Sequence, residues 1–253
     1  QNGHTHACEN GPSLGFHESV PGAFGEEVHA PWADVNLSLL PEDVSTVEMA
    51  GLGCRFMTSF HALVHRADVS AGDWVAVHGC GGVGLSAIDV ATAIGGNVVA
   101  VDLDDETLDL ARRFGAVETV NVRETEDVPK TVKDVTNGGA DVSVDALGVA
   151  ETCQNSVASL ARFGQHVQIG LTTKEEGGYV SLPTDEIVRK ELEFIGSHGM
   201  QPTRYDEIFR MVERDRIHPG ELVSREVSLE DLNDRLEAMT NFETRGIEVI
   251  TEY

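Results

Sequence analysis

Residues 74–84 restrict the possible folds of this chain more than any other stretch, because they join an apolar run, a glycine-rich turn and a helix start. They read WVAVHGCGGVG. Residues 75–77 are apolar and are flanked by polar and glycine residues, a pattern that predicts a short strand buried on both faces. Such strands occur mainly in parallel sheets, where crossover helices cover the two sides. The segment therefore predicts one strand of a parallel sheet that turns at once into a helix.

The glycines of this turn have the spacing G-x-G-x-x-G, with Gly79, Gly81 and Gly84 at the three positions. The first glycine permits a tight turn, the second lets a pyrophosphate approach the backbone, and the third allows the helix to pack closely on the strand. Apolar residues at helical spacing follow, so the turn lies at a helix N-terminus, where phosphate can bind. Alone, the motif is weak evidence for dinucleotide binding, because glycine-rich turns are common.

A second predicted strand supplies the context that the glycine motif needs. Residues 98–101 are apolar, and the strand ends in Asp102, eighteen residues after Gly84. An acidic side chain at this place can accept hydrogen bonds from the adenosine ribose hydroxyls of NAD. Its charge would repel a 2′-phosphate, which favours NAD over NADP. Screening at high salt weakens this preference and leaves NADP open as an alternative.

Strands and helices alternate along the middle of the chain. The predicted strands lie at residues 75–77, 98–101, 119–122, 142–145, 165–169 and 192–195, and predicted helices separate the first five of them, from residue 85 and at 105–114, 126–136 and 151–161. This alternation predicts an α/β fold with a doubly wound parallel sheet and right-handed crossovers. Ligands of such sheets bind beyond the carboxyl ends of the strands, where Ala146, Leu147 and Gly170 also fall.

The flanking segments have a different pattern. Residues 1–42 are rich in Gly, Pro and His, and residues 22–28 resemble a turn that enters a strand. Ser45 and Glu48 form a capping-box pattern at the start of a helix that we expect to continue to about residue 64. Near the C-terminus the pattern predicts a helix, then a strand, a helix and a strand, at residues 203–213, 223–227, from Ser228 and at 246–251.

The charge of the chain is unusual. Its 43 acidic and 18 basic residues give a formal net charge of −25, and only four of the basic residues are lysines. Self-repulsion of this size costs stability at low salt and is screened at high salt, which predicts a protein adapted to concentrated salt. An acidic protein of ordinary habitat is the alternative. In both cases nucleic acid and anionic membranes are unfavourable partners, because both need a basic surface.

The sequence contains no signal for a membrane or for export. No stretch approaches 18 consecutive apolar residues, and no basic segment followed by an apolar core opens the chain, so we expect a cytoplasmic protein. The four cysteines are scattered and form no C-x-x-C pair, which does not favour a disulfide framework. His4, His6 and Cys8 could form a metal cluster, but a polar N-terminal loop is the preferred interpretation.

A cysteine lies on the predicted helix that precedes the glycine turn, and it is a candidate for a chemical role. Residues 53–58 read GCRFMT. A single cysteine on an apolar helix is usually a small buried hydrophobe. Together, however, the G-C-x-F-x-T segment, the glycine turn and the acidic end of the second strand resemble the medium-chain, zinc-dependent alcohol dehydrogenases. The resemblance extends to residues 22–26 and 196–199 and so covers nearly the whole chain.

The resemblance implies a division into domains and a set of site residues. Residues 45–214 would form an NAD-binding Rossmann domain, and residues 1–44 and 215–253 would form part of a β-rich, GroES-like catalytic domain. Cys54 would be a thiolate ligand of the catalytic zinc, and Thr58 would lie beside the nicotinamide. The cofactor would contact the glycine turn, the acidic end of the second strand and two loops, through Gly79, Gly81, Gly82, Val83, Gly84, Asp102, Ala146, Leu147 and Gly170.

The implied reaction is the NAD-dependent interconversion of small alcohols with aldehydes or ketones. Zinc lowers the pKa of a bound alcohol, and the resulting alkoxide can release hydride to the nicotinamide. Members of the family are commonly dimers or tetramers, so we expect a homo-oligomer.

The chain lacks part of what this family uses. The other catalytic zinc ligands and most of the structural-zinc lobe lie in an N-terminal half domain that the sequence does not contain, so Cys8 resembles an isolated structural-zinc ligand. We therefore expect either that residues precede Gln1 or that the chain is a truncated product that is inactive alone. Two alternative functions stay open. One is a zinc-free medium-chain quinone or enoyl reductase, which Cys54 and Asp102 disfavour, and the other is a nucleotide-binding module without catalysis.

The histidines do not offer a good replacement zinc site. His61 and His65 share a predicted helix face with Cys54, but the spacing from Cys54 to His61 is about 10 Å along the helix axis, too long for one ion. We interpret this pair as helix-surface or interdomain residues. His166 and His198 each lie in an apolar element and are interpreted as structural histidines rather than bases.

Overall fold

The computed structural model describes residues 3–9, 11, 13–42, 44–241 and 243–253. The chain folds into two compact units. One comprises Gln1–Met57 and Gly199–Tyr253, and the other comprises Thr58–His198. The finer division into domains at residues 45 and 215 stays a prediction.

The unit Thr58–His198 is built on a parallel sheet of six strands in the order β3-β2-β1-β4-β5-β6. The strands are β1 Trp74–His78, β2 Asn97–Asp102, β3 Ala116–Asn121, β4 Ala140–Asp145, β5 Leu160–Gln168 and β6 Glu193–Gly196. The helices that connect them are α4 Gly82–Ile94, α5 Asp105–Arg113, α6 Val128–Val135, α7 Ala150–Ala158 and α8 Thr184–Lys190. The order reverses beside β1, so the predicted doubly wound α/β fold is confirmed.

Burial of the central strands explains why this alternating pattern forms a sheet with two covered faces. Val75, Ala76 and Val77 are fully buried, and the centres of both neighbouring strands are buried as well. On one face, a cluster of small and β-branched side chains joins the sheet to α6, formed by Ala76, Val99, Val101, Val120, Val128, Val132 and Ala140. Removal of this apolar surface from water is the main favourable term in folding. The β-branched residues also suit a strand better than a helix.

Acidic residues begin two of the crossover helices. The Asp104 carboxylate accepts a hydrogen bond from the Thr107 backbone N–H at 3.1 Å, and Asp127 accepts one from the Lys130 backbone N–H at 2.9 Å. Each bond satisfies a donor that the first turn of a helix leaves without an intrahelical partner. The two caps therefore define where α5 and α6 begin. Within the described residues, no helix is long and apolar enough to cross a membrane.

The other unit contains α1 Ala33–Asn36 and α2 Thr46–Gly51 before the unit boundary, and α9 Tyr205–Val212 and α10 Leu232–Thr240 after it. Its two strands, β7 Val223–Ser228 and β8 Ile247–Glu252, are parallel, which confirms the predicted β-α-β arrangement at the C-terminus. The predicted capping box is also confirmed, because Glu48 N donates to Ser45 Oγ and Ser45 N donates to the Glu48 carboxylate.

Three details of the flanking segments were predicted wrongly. Residues 22–28 form no strand, although all of them are described. The helix predicted from residue 45 to 64 is interrupted at Leu52, where α2 ends, and resumes as α3 Cys54–Phe60. The last helix begins at Leu232 and not at Ser228, because the Ser228 hydroxyl donates to the Asp231 carboxylate at 2.8 Å and a turn precedes the helix.

A π-helix follows α3 at His61–Arg66, in place of the predicted α-helical continuation. The Nδ1 atoms of His61 and His65 lie 3.0 Å apart. His61 is buried, so its interpretation as a surface residue was wrong. The π-helix adds one residue to a helical turn, which changes the face on which later side chains lie. The ideal α-helical spacing used above therefore does not apply beyond Phe60.

The buried side chain of His78, at the end of β1, should make the free energy of unfolding depend on pH. Its side chain is fully buried, and burial, with a smaller effect from His166, lowers the pKa of His78 to about 3. The unfolded chain has a histidine pKa of about 6.5, so below that pH it binds a proton that the folded chain does not. This contribution to stability is complete above pH 6.5 and falls by about 1.4 kcal/mol per pH unit towards pH 3.

We expect thermal unfolding measured between about pH 6.5 and 5 to show a loss of about 2 kcal/mol from His78. His78→Gln removes the titrating group and should flatten the slope of stability against pH, whatever its effect on absolute stability. His198→Gln changes an exposed histidine of the same unit and is the control. An unchanged slope in His78→Gln would contradict the assignment.

Candidate cofactor-binding site

The turn between β1 and α4 depends on a close approach of two backbone segments. Gly79 follows the strand with φ +87°, a left-handed conformation that favours glycine. A Cβ atom added at Gly84 would lie 1.9 Å from the carbonyl oxygen of Gly79. The first turn of α4 therefore lies directly against the end of β1, and only a residue without a side chain fits at position 84.

Gly81 has a different environment, which fits the pyrophosphate of a dinucleotide. It is the N-cap of α4, and no hydrogen bond from a described side chain caps this 13-residue helix. A Cβ atom added at Gly81 would meet no described atom within 4 Å. The backbone N–H groups that follow, from Gly82 onward, belong to the first turn of the helix and attract an anion. The open space over Gly81 and the uncapped helix start together have a shape and a polarity suited to an anion, and we call this place the phosphate cradle.

Asp102 ends β2 beside this cradle. One carboxylate oxygen, Oδ2, accepts a hydrogen bond from Cys80 N at 2.7 Å, and Oδ1 accepts bonds from Leu103 N and Asp104 N at 2.7 and 3.1 Å. The side chain is half-buried. Three backbone donors therefore hold the carboxylate in one orientation. Oδ1 is filled by two of them, whereas Oδ2 accepts only one bond and keeps acceptor capacity for a ribose hydroxyl. This geometry fits the predicted ribose contact.

The loops after β4 and β5 lie against each other beyond the sheet. A Cβ atom added at Gly148 would lie 2.1 Å from Leu171 O, and one added at Gly170 would lie 2.3 Å from Gly148 N. A Cβ atom added at Gly79 would lie 3.2 Å from Leu147 Cβ, so the first loop also borders the glycine turn. The structure thus brings Leu147 and Gly170 together near the cradle, as expected from their positions after parallel strands.

Asp145 holds the first of these loops and was missed in the sequence. It is fully buried at the end of β4, and its Oδ1 atom accepts hydrogen bonds from Leu147 N and Gly148 N, both at 2.9 Å. The sequence did contain a signal for this role, because Asp145 ends a predicted buried strand and is followed directly by A-L-G. The equivalent position on β2, Asp102, was recognised because it matches the dinucleotide motif.

Thr58 was predicted to lie beside the nicotinamide, and Val83 was predicted to contact the cofactor. Val83 is half-buried in the first turn of α4, and its carbonyl oxygen accepts a hydrogen bond from Ser59 Oγ at 2.7 Å. Thr58, the preceding residue, is buried on α3. This bond connects α3 with the first turn of α4 within one compact unit.

The described residues do not by themselves complete a zinc site. Cys54 and Cys8 are both exposed and carry free thiols. No group of three or more His, Cys, Asp or Glu side chains with metal-binding geometry occurs in the described part of the chain. A catalytic zinc needs three protein ligands and a structural zinc needs four. Cys54 and Cys8 alone therefore complete neither kind of site.

The histidines predicted to be structural have different environments. His166 is buried and has hydrogen-bond partners at both ring nitrogens, which confirms its interpretation. His198 is exposed and lies after the end of β6, so its interpretation as a histidine inside an apolar element was wrong.

The parallel sheet, the phosphate cradle at α4 and the carboxylate at the end of β2 give the chain a fold of the Rossmann type, with a site suited to a dinucleotide. Residues 82–214, just over half of the chain, match the family described as "Zinc-binding dehydrogenase". The chain belongs to this family. The resemblance to the medium-chain, zinc-dependent alcohol dehydrogenases seen in the sequence is confirmed.

Individual relatives agree with this assignment. The chain is 35% identical to an alcohol dehydrogenase of Moraxella sp., over 65% of this chain and 46% of that protein. It is 29% identical to an NAD-dependent alcohol dehydrogenase of Sulfurisphaera tokodaii, over 98% of this chain and 69% of that protein. Its fold matches the crystal structure of the alcohol dehydrogenase from Aeropyrum pernix with a TM-score of 0.82 and 28% identity, over 96% of this chain and 69% of that chain.

The chain is shorter than these relatives. It spans about half the length of the Moraxella enzyme and of a rabbit class-2 alcohol dehydrogenase, and about two thirds of the length of the archaeal enzymes.

The same substitution should affect stability strongly at Gly84 and only weakly at Gly81. Gly84→Ala places a methyl group against the Gly79 carbonyl and should lower the free energy of unfolding by several kcal/mol, as overpacking at a rigid contact does. Gly81→Ala points into open space and should change stability by less than about 1 kcal/mol. Urea unfolding of both variants measures the difference. Equal stability of the two variants would contradict the close approach of α4 to β1.

Proposed function

We propose that the chain is the cofactor-binding part of an NAD-dependent alcohol dehydrogenase, which interconverts alcohols with aldehydes or ketones by hydride transfer. The observation that carries the proposal is the oriented Asp102 carboxylate beside the open cradle at Gly81. The Moraxella relative is an alcohol dehydrogenase and the Sulfurisphaera relative is an NAD-dependent alcohol dehydrogenase, which supports the reaction class.

The residues of the site would divide the work of binding. Backbone N–H groups at Gly82 and Val83 would bind the pyrophosphate at the positive end of the α4 dipole. Asp102 would accept hydrogen bonds from the adenosine ribose hydroxyls and repel a 2′-phosphate, which selects NAD over NADP. Bound NAD would supply the hydride acceptor.

The other half of the cofactor would lie over the remaining strands. The loops with Ala146, Leu147 and Gly170 would border it, and Val83 and Thr58 would lie beside the nicotinamide. Because these groups come from rigid elements and short loops, they would hold the ring in one orientation for hydride transfer.

Two cysteines of the chain are proposed as zinc ligands. Cys54 would be one thiolate ligand of a catalytic zinc, and Cys8 would be one ligand of a structural zinc. The described residues supply no set of three ligands, so the complete sites would need further groups. The same observation favours a second candidate function, a nucleotide-binding module without catalysis. The zinc-free quinone or enoyl reductases stay a third alternative, against which Cys54 and Asp102 argue.

The proposal also covers the salt conditions, the location and the partners of the enzyme. The net charge of −25 supports adaptation to high salt and argues against a nucleic-acid or anionic-membrane partner. A cytoplasmic location belongs to the same proposal. The edge strand β6 carries Phe194 with 45% of its surface exposed, which supports pairing with a second copy in a homo-oligomer, a dimer or tetramer.

Titration with NADH and NADPH, followed by the fluorescence of the reduced nicotinamide, tests the cofactor assignment. We expect the chain to bind NADH at least about tenfold more tightly than NADPH, because a hydrogen bond to a charged group contributes about 1.5–3 kcal/mol. Asp102→Asn should weaken NADH binding by about tenfold and reduce the preference. Asp109→Asn removes one exposed carboxylate from α5 and is the control. A folded chain that binds neither nucleotide would overturn the proposal.

Thermal unfolding in increasing KCl tests the adaptation to salt. Between about 0.1 and 1 M salt the Debye length falls from about 10 to 3 Å, so repulsion between surface carboxylates is largely screened. We expect the melting temperature to rise across this range. A melting temperature that stays constant or falls would support the alternative of an acidic protein without salt adaptation.

A further inference from the structure

A row of polar side chains, three of them buried and Gln168 half-buried, crosses β4 and β5 on one face of the sheet. Ser143 pairs in register with His166, and Asp145 pairs with Gln168. Ser143, Asp145 and His166 are 0–1% exposed. Polar groups buried to this degree are costly unless they are hydrogen-bonded, so their partners determine the arrangement.

Gln168 lies at the centre of this row. Its Nε2 group donates to Asp145 Oδ2 and to Gly170 O, both at 2.8 Å. Its Oε1 atom lies 3.0 Å from His166 Nε2. The two acceptors on one side fix which end of the amide is nitrogen, because an amide oxygen could not bond with either of them.

His166 is then restricted to one tautomer. Because the Gln168 oxygen can only accept, His166 must donate from Nε2. Burial lowers the pKa of His166, so the ring is neutral and Nδ1 is an acceptor. Two hydroxyl groups lie within reach of Nδ1, those of Ser156 at 3.0 Å and Ser143 at 3.3 Å. The bonds of the row therefore run in one direction, from a serine hydroxyl through His166 to Gln168 and Asp145.

The row ends at the two loops of the cofactor site. Asp145 uses its other oxygen to hold Leu147 N and Gly148 N, and Gln168 holds Gly170 through its carbonyl oxygen. One amide side chain thus links the loop after β4 to the loop after β5. The backbones of these loops leave no room for a Cβ atom at Gly148 or Gly170, so a shift of one loop displaces the other.

The strand order indicates which half of a dinucleotide these loops serve. Asp102 ends β2 on one side of β1, whereas β4 and β5 lie on the other side. A dinucleotide with its adenosine ribose at Asp102 and its pyrophosphate at α4 therefore extends its second nucleotide over β4 and β5.

We propose that Gln168 is a positioning residue for the nicotinamide half of the cofactor, because its side-chain amide ties the loop after β4 to the loop after β5. The inference rests on the proposed binding of NAD. The residue acts through Asp145 and Gly170 and does not itself touch the cofactor.

The test compares NADH, which has both halves, with ADP, which carries the adenosine half and the pyrophosphate alone. Gln168→Met keeps the length of the side chain and removes its hydrogen bonds. We expect it to weaken NADH binding by about tenfold and to leave ADP binding within about twofold of wild type. ADP binding also reports that the variant is folded. Gln165→Met, on the opposite face of the same strand, removes an amide bonded to Glu193 and should change neither affinity.

His166→Leu supplies a second variant, because it removes the donor to Gln168 Oε1 and leaves the amide held at its nitrogen alone. His166→Gln restores a donor at this position and should recover part of the NADH affinity, which a merely space-filling role of His166 would not predict. Wild-type NADH affinity in Gln168→Met or His166→Leu, with ADP binding retained, would overturn the inference. Failure of the wild-type chain to bind NADH would instead overturn the proposed function.

Amide hydrogen exchange of the wild-type chain provides a measurement that needs no substitution. We expect NADH to slow exchange at Leu147 and Gly148 by several-fold more than ADP does, because only the complete dinucleotide reaches the tied loops. Equal protection by the two ligands would also overturn the inference.

Discussion

The contact between the first turn of α4 and the end of β1 is the constraint on which the rest of the site depends. Gly84 lies so close to the Gly79 carbonyl that no side chain fits between them. This contact directs the N-terminus of α4 to the carboxyl edge of the sheet, with its first N–H groups over open space at Gly81. A helix packed at ordinary distance would leave the phosphate cradle displaced from the strands that carry the other site residues.

Two carboxylates flank this contact and have different roles because of their burial. Asp102 ends β2, is half-buried, and is held by three backbone donors while it keeps capacity for a ligand. Asp145 ends β4, is fully buried, and uses its oxygens for Leu147, Gly148 and the Gln168 amide. The first can recognise a ribose, whereas the second can only shape the loop beside it. The same residue type thus serves binding on one side of β1 and organisation on the other.

The elements that sequence patterns predicted well are those whose residues carry their own local signals. Buried β-branched runs indicated the strands, and side-chain caps such as Ser45 and Asp127 agree with the observed helix starts. Helix α8 was missed, because only Ile187 and Val188 among its seven residues are apolar and no periodicity results. Strand β5 begins at Leu160, earlier than predicted, through a segment that includes Phe163 in a left-handed conformation.

The sequence by itself determined the alternation of strands and helices, the glycine turn and the acidic end of β2, because each depends on residues close together along the chain. It also indicated the cofactor class, since the glycine spacing and Asp102 form one local motif. Only the tertiary structure decided the orientation of the Gln168 amide, the tautomer of His166 and the tie between two loops. Those features arise where side chains from β4, β5 and α7 meet and each buried polar atom must have a hydrogen-bond partner. Because these partners are distant in the sequence, local sequence patterns do not indicate which atoms pair.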